Sequence, residues 1–365
     1  VIVYLMIAAV FVSLAISLLA TPLSRRVAVR TGMIDVPQRH KAHARPTPLL
    51  GGSAIFGAFL GPALLAVALA RYWDSQGVPA WLTTYLPELA RHVAGAAAKA
   101  PMALGVLGGA ALMHVLGLID DRKPLGPFVK LAVQTAVAVG VVVGLDVRVL
   151  TVLSEPLSTV LSVLWLVAIT NALNFMDNMD GLSAGVAAIC CTALMAASLS
   201  VGQVFVPAML ALVLGATLGY LPYNFPTAST FMGDAGSLVL GYMLGVASML
   251  TTYVDGASVH HYSVLAPLVL LAVPLYDMIS VIVLRLRQRV NPLAGDRRHF
   301  SHRLVRRGMS TRKAVLTVYL CTAETALAAV LLPHVDAAGS ALVLAQTVGI
   351  LLIVALLEST DAKAA

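Results

Sequence analysis

Residues 157–200 read LSTVLSVLWLVAITNALNFMDNMDGLSAGVAAICCTALMAASLS. Two apolar runs enclose the segment Asn171 to Gly181, which carries Asn171, Asn174, Asp177, Asn178 and Asp180. The spans flanking it, about 157–175 and 182–200, match the roughly 17–25 residues a helix needs to cross a bilayer. Carboxylates are expensive next to hydrocarbon, so a cluster of them there marks function by default. The stretch therefore reads as two membrane spans joined by a polar turn that does chemistry.

The composition extends this reading to the whole chain. Of 365 residues, 59% are hydrophobic and 11% charged, and the mean hydropathy is +0.90. A soluble domain of this length needs far more polar surface. Approximate span cores are 2–20, 49–70, 101–119, 126–144, 157–175, 182–200, 203–221, 236–253, 263–284, 313–332 and 339–357. They lack the polar alternation of a barrel strand. The expected fold class is all-α: a polytopic integral membrane protein of about eleven helices, forming one membrane domain over residues 1–365. Residues 71–100 read as its longest non-cytoplasmic loop, with Tyr72, Trp73, Trp81 and Tyr85 at the interface. Cys190, Cys191 and Cys321 fall inside spans without metal-ligand spacing and read as apolar fillers.

Basic residues orient the chain. Arg25, Arg26, Arg30, Arg39, Lys41 and Arg45 follow the first span, Arg122 and Lys123 the third, and a run from Arg285 to Lys313 the ninth. With alternating spans all three loops share one side, which the positive-inside rule assigns to the cytoplasm, leaving the N-terminus outside. The first span reads as an anchor and not a cleaved signal peptide. The net charge of +7 then meets anionic headgroups or a phosphorylated substrate, not nucleic acid.

Four constellations gather on that cytoplasmic face. Asp120 and Asp121 end the third span, with Lys130 close by; adjacent carboxylates ionise together only beside a cation. In the Asn171–Gly181 segment a helix would put Asn171, Asn174 and Asn178 on one face, and their oxygens suit a hard cation. Asp234 lies between Gly233 and Gly236 at the start of the eighth span, where it can hold a metal bridging to a phosphate at the helix N-terminus; the plainer alternative is a helix start capped by Asp234 or Ser237. The loop DRRHFSHR, Asp296 to Arg303, offers His299, His302 and several arginines for phosphate; zinc is disfavoured because no cysteine or third histidine is near. A further basic loop, Asp35 to Pro48, includes Arg39 and His43.

Taken together, the Asp35–Pro48 loop, GLIDD (117–121), NALNFMDNMDGLSAG (171–185), FMGDAGS (231–237) and the histidine loop resemble the polyprenyl-phosphate N-acetylhexosamine-1-phosphate transferases. The resemblance runs from about Asp35 to His302. It implies magnesium ligands at Asn174 and Asp234, with Mn²⁺ able to substitute. It implies catalytic positions at Asp120, Asp121, Asp177, Asp180 and Lys130, and substrate contacts at Asn171, His299, His302, Arg303, Arg39 and His43. The implied reaction moves N-acetylglucosamine 1-phosphate, or a related sugar phosphate, from a UDP-N-acetylhexosamine to undecaprenyl phosphate in the bacterial inner membrane. That step releases UMP and starts a cell-envelope glycan; a homodimer is an open option.

Relatives often carry a third histidine where this chain has Ser301, and the loop looks more like the N-acetylglucosamine branch than the peptidoglycan branch. The phospho-N-acetylmuramoyl-pentapeptide transferase is the alternative within the family. From a different class, an ion-coupled transporter would put its carboxylates near mid-span and show paired half-helices. A CDP-alcohol phosphotransferase would carry an arginine soon after Asp180-Gly181, where this chain has LSAG.

Overall fold

The computed structural model describes residues 2–36, 46–151, 153–251, 261–291 and 298–359. The chain is a polytopic helical membrane protein. Its helices are α1 (Ile2–Thr31), α2 (Gly51–Gln76), α3 (Ala80–Tyr85), α4 (Pro87–Ala98), α5 (Ala100–Arg122), α6 (Pro127–Gly144), α7 (Glu155–Met176), α8 (Leu182–Ser200), α9 (Phe205–Asn224), α10 (Asp234–Leu250), α11 (Ala266–Leu270), α12 (Ala272–Arg287), α13 (Phe300–Arg306), α14 (Thr311–Leu331) and α15 (Ala337–Ser359). Proline sits in the first turn of α4, α5, α6 and α7, where its missing N–H has no partner to lose.

Among the described residues nine helices are long and apolar enough to cross a membrane, and a tenth crossing follows if α11 and α12 form one span bent by 61°. Each core expected from the sequence falls on a helix, but two differ from a plain span. One is the bent α11–α12 pair. The other is α10, only 17 residues long. The expected loop at 71–100 is instead helical, because α2 runs on to Gln76 and the alanine- and leucine-rich remainder folds as α3 and α4. Trp73 and Trp81 meet there edge to face, 6.1 Å apart.

The short helix is the centre of the bundle. Every residue of α10 from Ala235 to Met249 is buried, the signature of a helix that is apolar all round. It packs against α7, α5, α2, α8 and α9. Small residues make this possible. A Cβ on Gly117 of α5 would run into the Asp234–Ala235 peptide, one on Gly52 of α2 into Gly236, and one on Gly241 into the Thr170 backbone of α7. Without a hydrophobic drive between helices in lipid, such close packing holds them together. Tyr242 fills the space beside Gly109 and donates to the Val106 carbonyl (3.0 Å).

The chain entering α2 fixes the chain entering α10. Ile34–Asp35 pairs antiparallel with Thr47–Pro48, and Leu49 bridges Phe231. The amides of Gly51 and Gly52 then donate to the carbonyls of Phe231 (2.9 Å) and Met232 (3.0 Å).

Gly117→Ala forces α5 and α10 apart and is expected to destabilise the protein by about 1–3 kcal/mol, as overpacking does. Gly57 has open space around it, so Gly57→Ala is expected to hold or raise the melting temperature. Thermal melting of both variants in detergent checks this; equal behaviour would refute the packing account.

Candidate functional site

The site grows from one buried helix start. The first amides of a helix lack intrahelical partners, and those of α10 open inside the protein. Gly233 precedes the helix with φ 69° and no side-chain cap of its own. The cap comes from far along the chain. Asp121, in the last turn of α5, accepts from the Asp234 N–H through Oδ1 (2.8 Å) and from the Ala235 N–H through Oδ2 (3.1 Å). A Cβ on residue 233 would strike that carboxylate, so glycine is required twice over, for its backbone angle and for its missing side chain. Neither Asp234 nor Ser237 is the cap; Ser237 Oγ donates back to the Gly233 carbonyl (3.1 Å).

Asp234 is thereby aimed at two partners. Lys130 Nζ donates to Asp234 Oδ2 (2.8 Å) and to Asp120 Oδ2 (3.1 Å). Asp120 is held further by the Leu125 N–H on Oδ1 (2.6 Å). From α7, Asn174 Nδ2 donates to Asp234 Oδ1 and Ser237 Oγ, both at 2.9 Å. Asp120, Lys130, Asn174 and Asp234 thus meet at one end of the bundle, and the side chains of Lys130, Asp120 and Asp234 are 24%, 14% and 23% exposed. Asn171 faces elsewhere: its Nδ2 donates to the Val167 carbonyl (2.8 Å) and to Gln134 Oε1 (2.5 Å), linking α7 to α6.

Helix α7 stops at Met176, so Asn178 does not continue the Asn171–Asn174 face. Gly181, with φ 76°, turns the chain into α8, and its amide donates to Asn224 Oδ1 (2.9 Å). Asp180 accepts from the Ala228 N–H (2.8 Å). Burial pushes the Asp177 carboxyl well above the usual carboxylate range, and the charges of Asp234, Asp121 and Asp180 push it further.

The histidine loop enters this end through α13. Ser301 donates to Asn178 Oδ1 (2.6 Å), joining α13 to the acidic turn. His299 Nδ1 lies 2.9 Å from Asp277 Oδ2, and the Phe300 N–H donates to Asp277 Oδ1 (2.7 Å). The His299 ring stands 5.7 Å from Phe175 and 6.4 Å from His302, and the Arg285 guanidinium sits 5.4 Å over the same Phe175 ring. Arg303 is occupied by Ser280 Oγ (2.8 Å) and Glu358 (2.8 Å). Sequence reasoning missed Asp277, Arg285 and Glu358 as site residues; Asp277 is a lone carboxylate inside an apolar run, whereas Arg285 and Glu358 stand near the ends of theirs. Arg39, His43 and Asp296 lie outside the described residues.

Chemically this is an oxygen-rich pocket with Lys130 among its carboxylates. Among the described residues no three His, Cys, Asp or Glu side chains are arranged to hold a metal by themselves. The described cluster supplies Asp120 and Asp234 oxygens beside Asn174 and Lys130. It fits a hard cation that takes one or two protein oxygens and completes its shell with water and phosphate.

A sequence model described as glycosyl transferase family 4 matches residues 103–252. The chain is 34% identical to a probable undecaprenyl-phosphate N-acetylglucosaminyl 1-phosphate transferase of Bacillus subtilis, over 86% of this chain and 80% of that protein. It is 35% identical to a decaprenyl-phosphate N-acetylglucosaminephosphotransferase of Mycolicibacterium smegmatis, over 94% and 86%. An undecaprenyl-phosphate alpha-N-acetylglucosaminyl 1-phosphate transferase of Yersinia pestis is 25% identical over 84% and 79%.

The raised Asp177 has a definite consequence for the metal-free protein. A carboxyl whose folded pKa is raised supports folding below its unfolded pKa and loses that support as pH rises toward the folded pKa. In chelator, Asp177→Asn is therefore expected to melt above the parent chain. The gap should widen as pH rises above the ordinary carboxylate range, by at most about 1.4 kcal/mol per pH unit. Melting curves across that rise check it; a constant or inverted gap would show that Asp177 ionises freely.

Proposed function

This chain belongs to glycosyl transferase family 4, and from that premise we propose that it transfers N-acetylglucosamine 1-phosphate from UDP-N-acetylglucosamine to undecaprenyl phosphate. An oxygen of the lipid phosphate attacks the sugar-linked phosphorus, the bond to UMP breaks, and the lipid leaves with the sugar on a diphosphate. The convergence of Asn174, Asp234, Lys130 and Asp120 carries this reading. It offers oxygens for a hard cation and an ammonium for phosphate charge at one end of an apolar bundle.

Asn174 and Asp234 would hold Mg²⁺, and Mn²⁺ suits the same donors. When bound, the ion neutralises diphosphate charge and eases UMP departure. Lys130 releases part of its contact with the carboxylates to meet the transferring phosphoryl group, and Asp120 keeps its ammonium in place. Both oxygens of Asp121 are taken by α10 amides, which favours a positioning role for it over handling the lipid phosphate. Asn171, through Gln134, fixes α7 so that Asn174 faces Lys130. Asp177 and Asp180 line the turn where the diphosphate would sit, and His299 and His302 face the donor nucleotide. Arg303 acts by tying α13 to Ser280 and Glu358, while Arg39 and His43 are proposed contacts to lipid phosphate.

We place this end in the cytoplasm of a bacterial inner membrane, with eleven crossings and the N-terminus outside. Exposed Arg122 and Lys123 beside Asp120 support that side. The relatives named above all act on N-acetylglucosamine by name, which disfavours the pentapeptide alternative. Carboxylates grouped at one bundle end, not at its middle, disfavour a transporter.

Purified protein with undecaprenyl phosphate and UDP-N-acetylglucosamine is expected to release UMP with Mg²⁺ and to stop in chelator. Asn174→Ala and Asp234→Asn should each lower kcat by about 10²-fold or more. A panel of UDP-sugars reads the donor; absence of metal-dependent UMP release with every donor would overturn the proposal.

A further inference from the structure

Helix α15 is a lipid-facing helix with one charged residue. Leu342, Val348, Leu352, Ile353 and Leu356 are exposed along it, and Glu358 in its last turn is its sole charge. That carboxylate does not point to water: its side chain is 9% exposed and that of its partner Arg303 is 10%. Arg303 Nη2 lies 2.8 Å from Glu358 Oε2. Tyr276 of α12 donates to the same oxygen (3.2 Å), and Arg307, just past α13, donates to the Glu358 backbone carbonyl.

The far side of α13 is held by the neighbour of Tyr276. Asp277 takes the His299 ring and the Phe300 amide. So the two consecutive residues Tyr276 and Asp277 reach, respectively, the last helix and the histidine. α13 has seven residues, too few to hold an orientation alone in water or at an interface. Its direction is set by the Asp277 contacts at its start, by Ser301 on Asn178, and by Arg303 on Ser280 and Glu358. Removing one partner of a buried ion pair leaves the other charged and unmatched, so losing Glu358 would leave Arg303 held, among the described residues, by Ser280 alone and free that side of α13 to rotate. That rotation moves His299, whose ring stands over Phe175, the residue after Asn174.

We propose that Glu358 is a positioning residue for the donor site: through Arg303 it holds α13 so that His299 and His302 face the acidic pocket. This rests on the reading of α13 as the face that binds UDP-N-acetylglucosamine. The last helix of the chain then serves catalysis without touching either substrate.

The test compares Glu358→Gln, Glu358→Asp, Tyr276→Phe and His299→Ala in the full-length protein. KM is measured separately for UDP-N-acetylglucosamine and for undecaprenyl phosphate. Glu358→Gln is expected to raise the donor KM about tenfold, with kcat and lipid KM within about threefold, the mark of lost binding and not lost chemistry. Glu358→Asp, keeping the charge, should recover part of the loss. If Glu358→Gln leaves the donor KM unchanged while His299→Ala raises it, the clamp is wrong and the donor face stands. If neither moves the donor KM, the donor reading fails and takes the clamp with it. If Glu358→Gln degrades both KM values and kcat alike, its role is general packing and the proposal falls. Should Glu358→Gln not fold, Tyr276→Phe, which loses one hydrogen bond to Glu358, should raise the donor KM about twofold to threefold at constant lipid KM. No shift there would overturn the proposal as well.

Discussion

A helix that begins inside a protein needs acceptors for its first amides, and in α10 two of these come from the Asp121 carboxylate. Water at a membrane end is a poor substitute, because buried N–H groups without partners cost as much as a lost hydrogen bond. The rest of the site inherits this constraint. Asp234 is the first residue of α10, so its side chain points where the capped helix points it. Its carboxylate then collects Lys130 and Asn174, and Lys130 draws in Asp120. The glycines at 117, 233 and 236 serve the same contact, since a side chain at 117 or 233 would displace the α5 carboxylate or the α10 backbone it caps, and one at 236 would meet α2.

Much of the scaffold is legible in the sequence for a physical reason. Lipid cannot satisfy backbone groups, so a long apolar run has few options besides helix. The polar segments stood out by contrast with those runs, and Asn174, Asp234, Asp120 and Lys130 do meet. What the sequence does not disclose is directed by distant partners. Asp121 reads as half of an acidic pair, while its role as a cap depends on a helix start more than a hundred positions later. Gln134 looks like an isolated polar residue in an apolar run until Asn171 is seen opposite it. Asp277 and Glu358 are invisible for the same reason: each is a lone charge whose partner lies on another element. The Asn171–Asn178 face failed differently. Helical periodicity predicts a face running on to Asn178, but α7 ends at Met176 and the left-handed Gly181 bends the chain toward α8.

The charge balance of the pocket argues for what should fill it. Lys130 lies against Asp120 and Asp234, and amide donors quiet Asp121 and one oxygen of Asp180. Asp177 has burial and three like charges against it. A protein alone would relax such an arrangement by protonation or by losing a carboxylate. Under the proposed function, a site binding a cation and a diphosphate together would gain from retaining them, because the cation would take up the excess and the phosphates would complete its shell. The neutral Asn174 fits the same proposal: with its amide turned from the Nδ2–Asp234 contact, it would supply an oxygen donor without adding to the repulsion.

Both halves of the site are held by charged side chains paired across elements. In the acidic half Lys130 joins Asp120 to Asp234, and Asn174 holds the other Asp234 oxygen. The histidine half is closed by pairs already made, His299 with Asp277 and Arg303 with Glu358. Among the described residues Arg303 Nε, Arg303 Nη1 and Glu358 Oε1 are buried there without a hydrogen-bond partner, so this half is a partly satisfied network. The hydrogen bond from Ser301 to Asn178 is where the halves meet. It ties α13 to the turn between α7 and α8, so the two halves are joined directly and not only through the membrane helices that carry them.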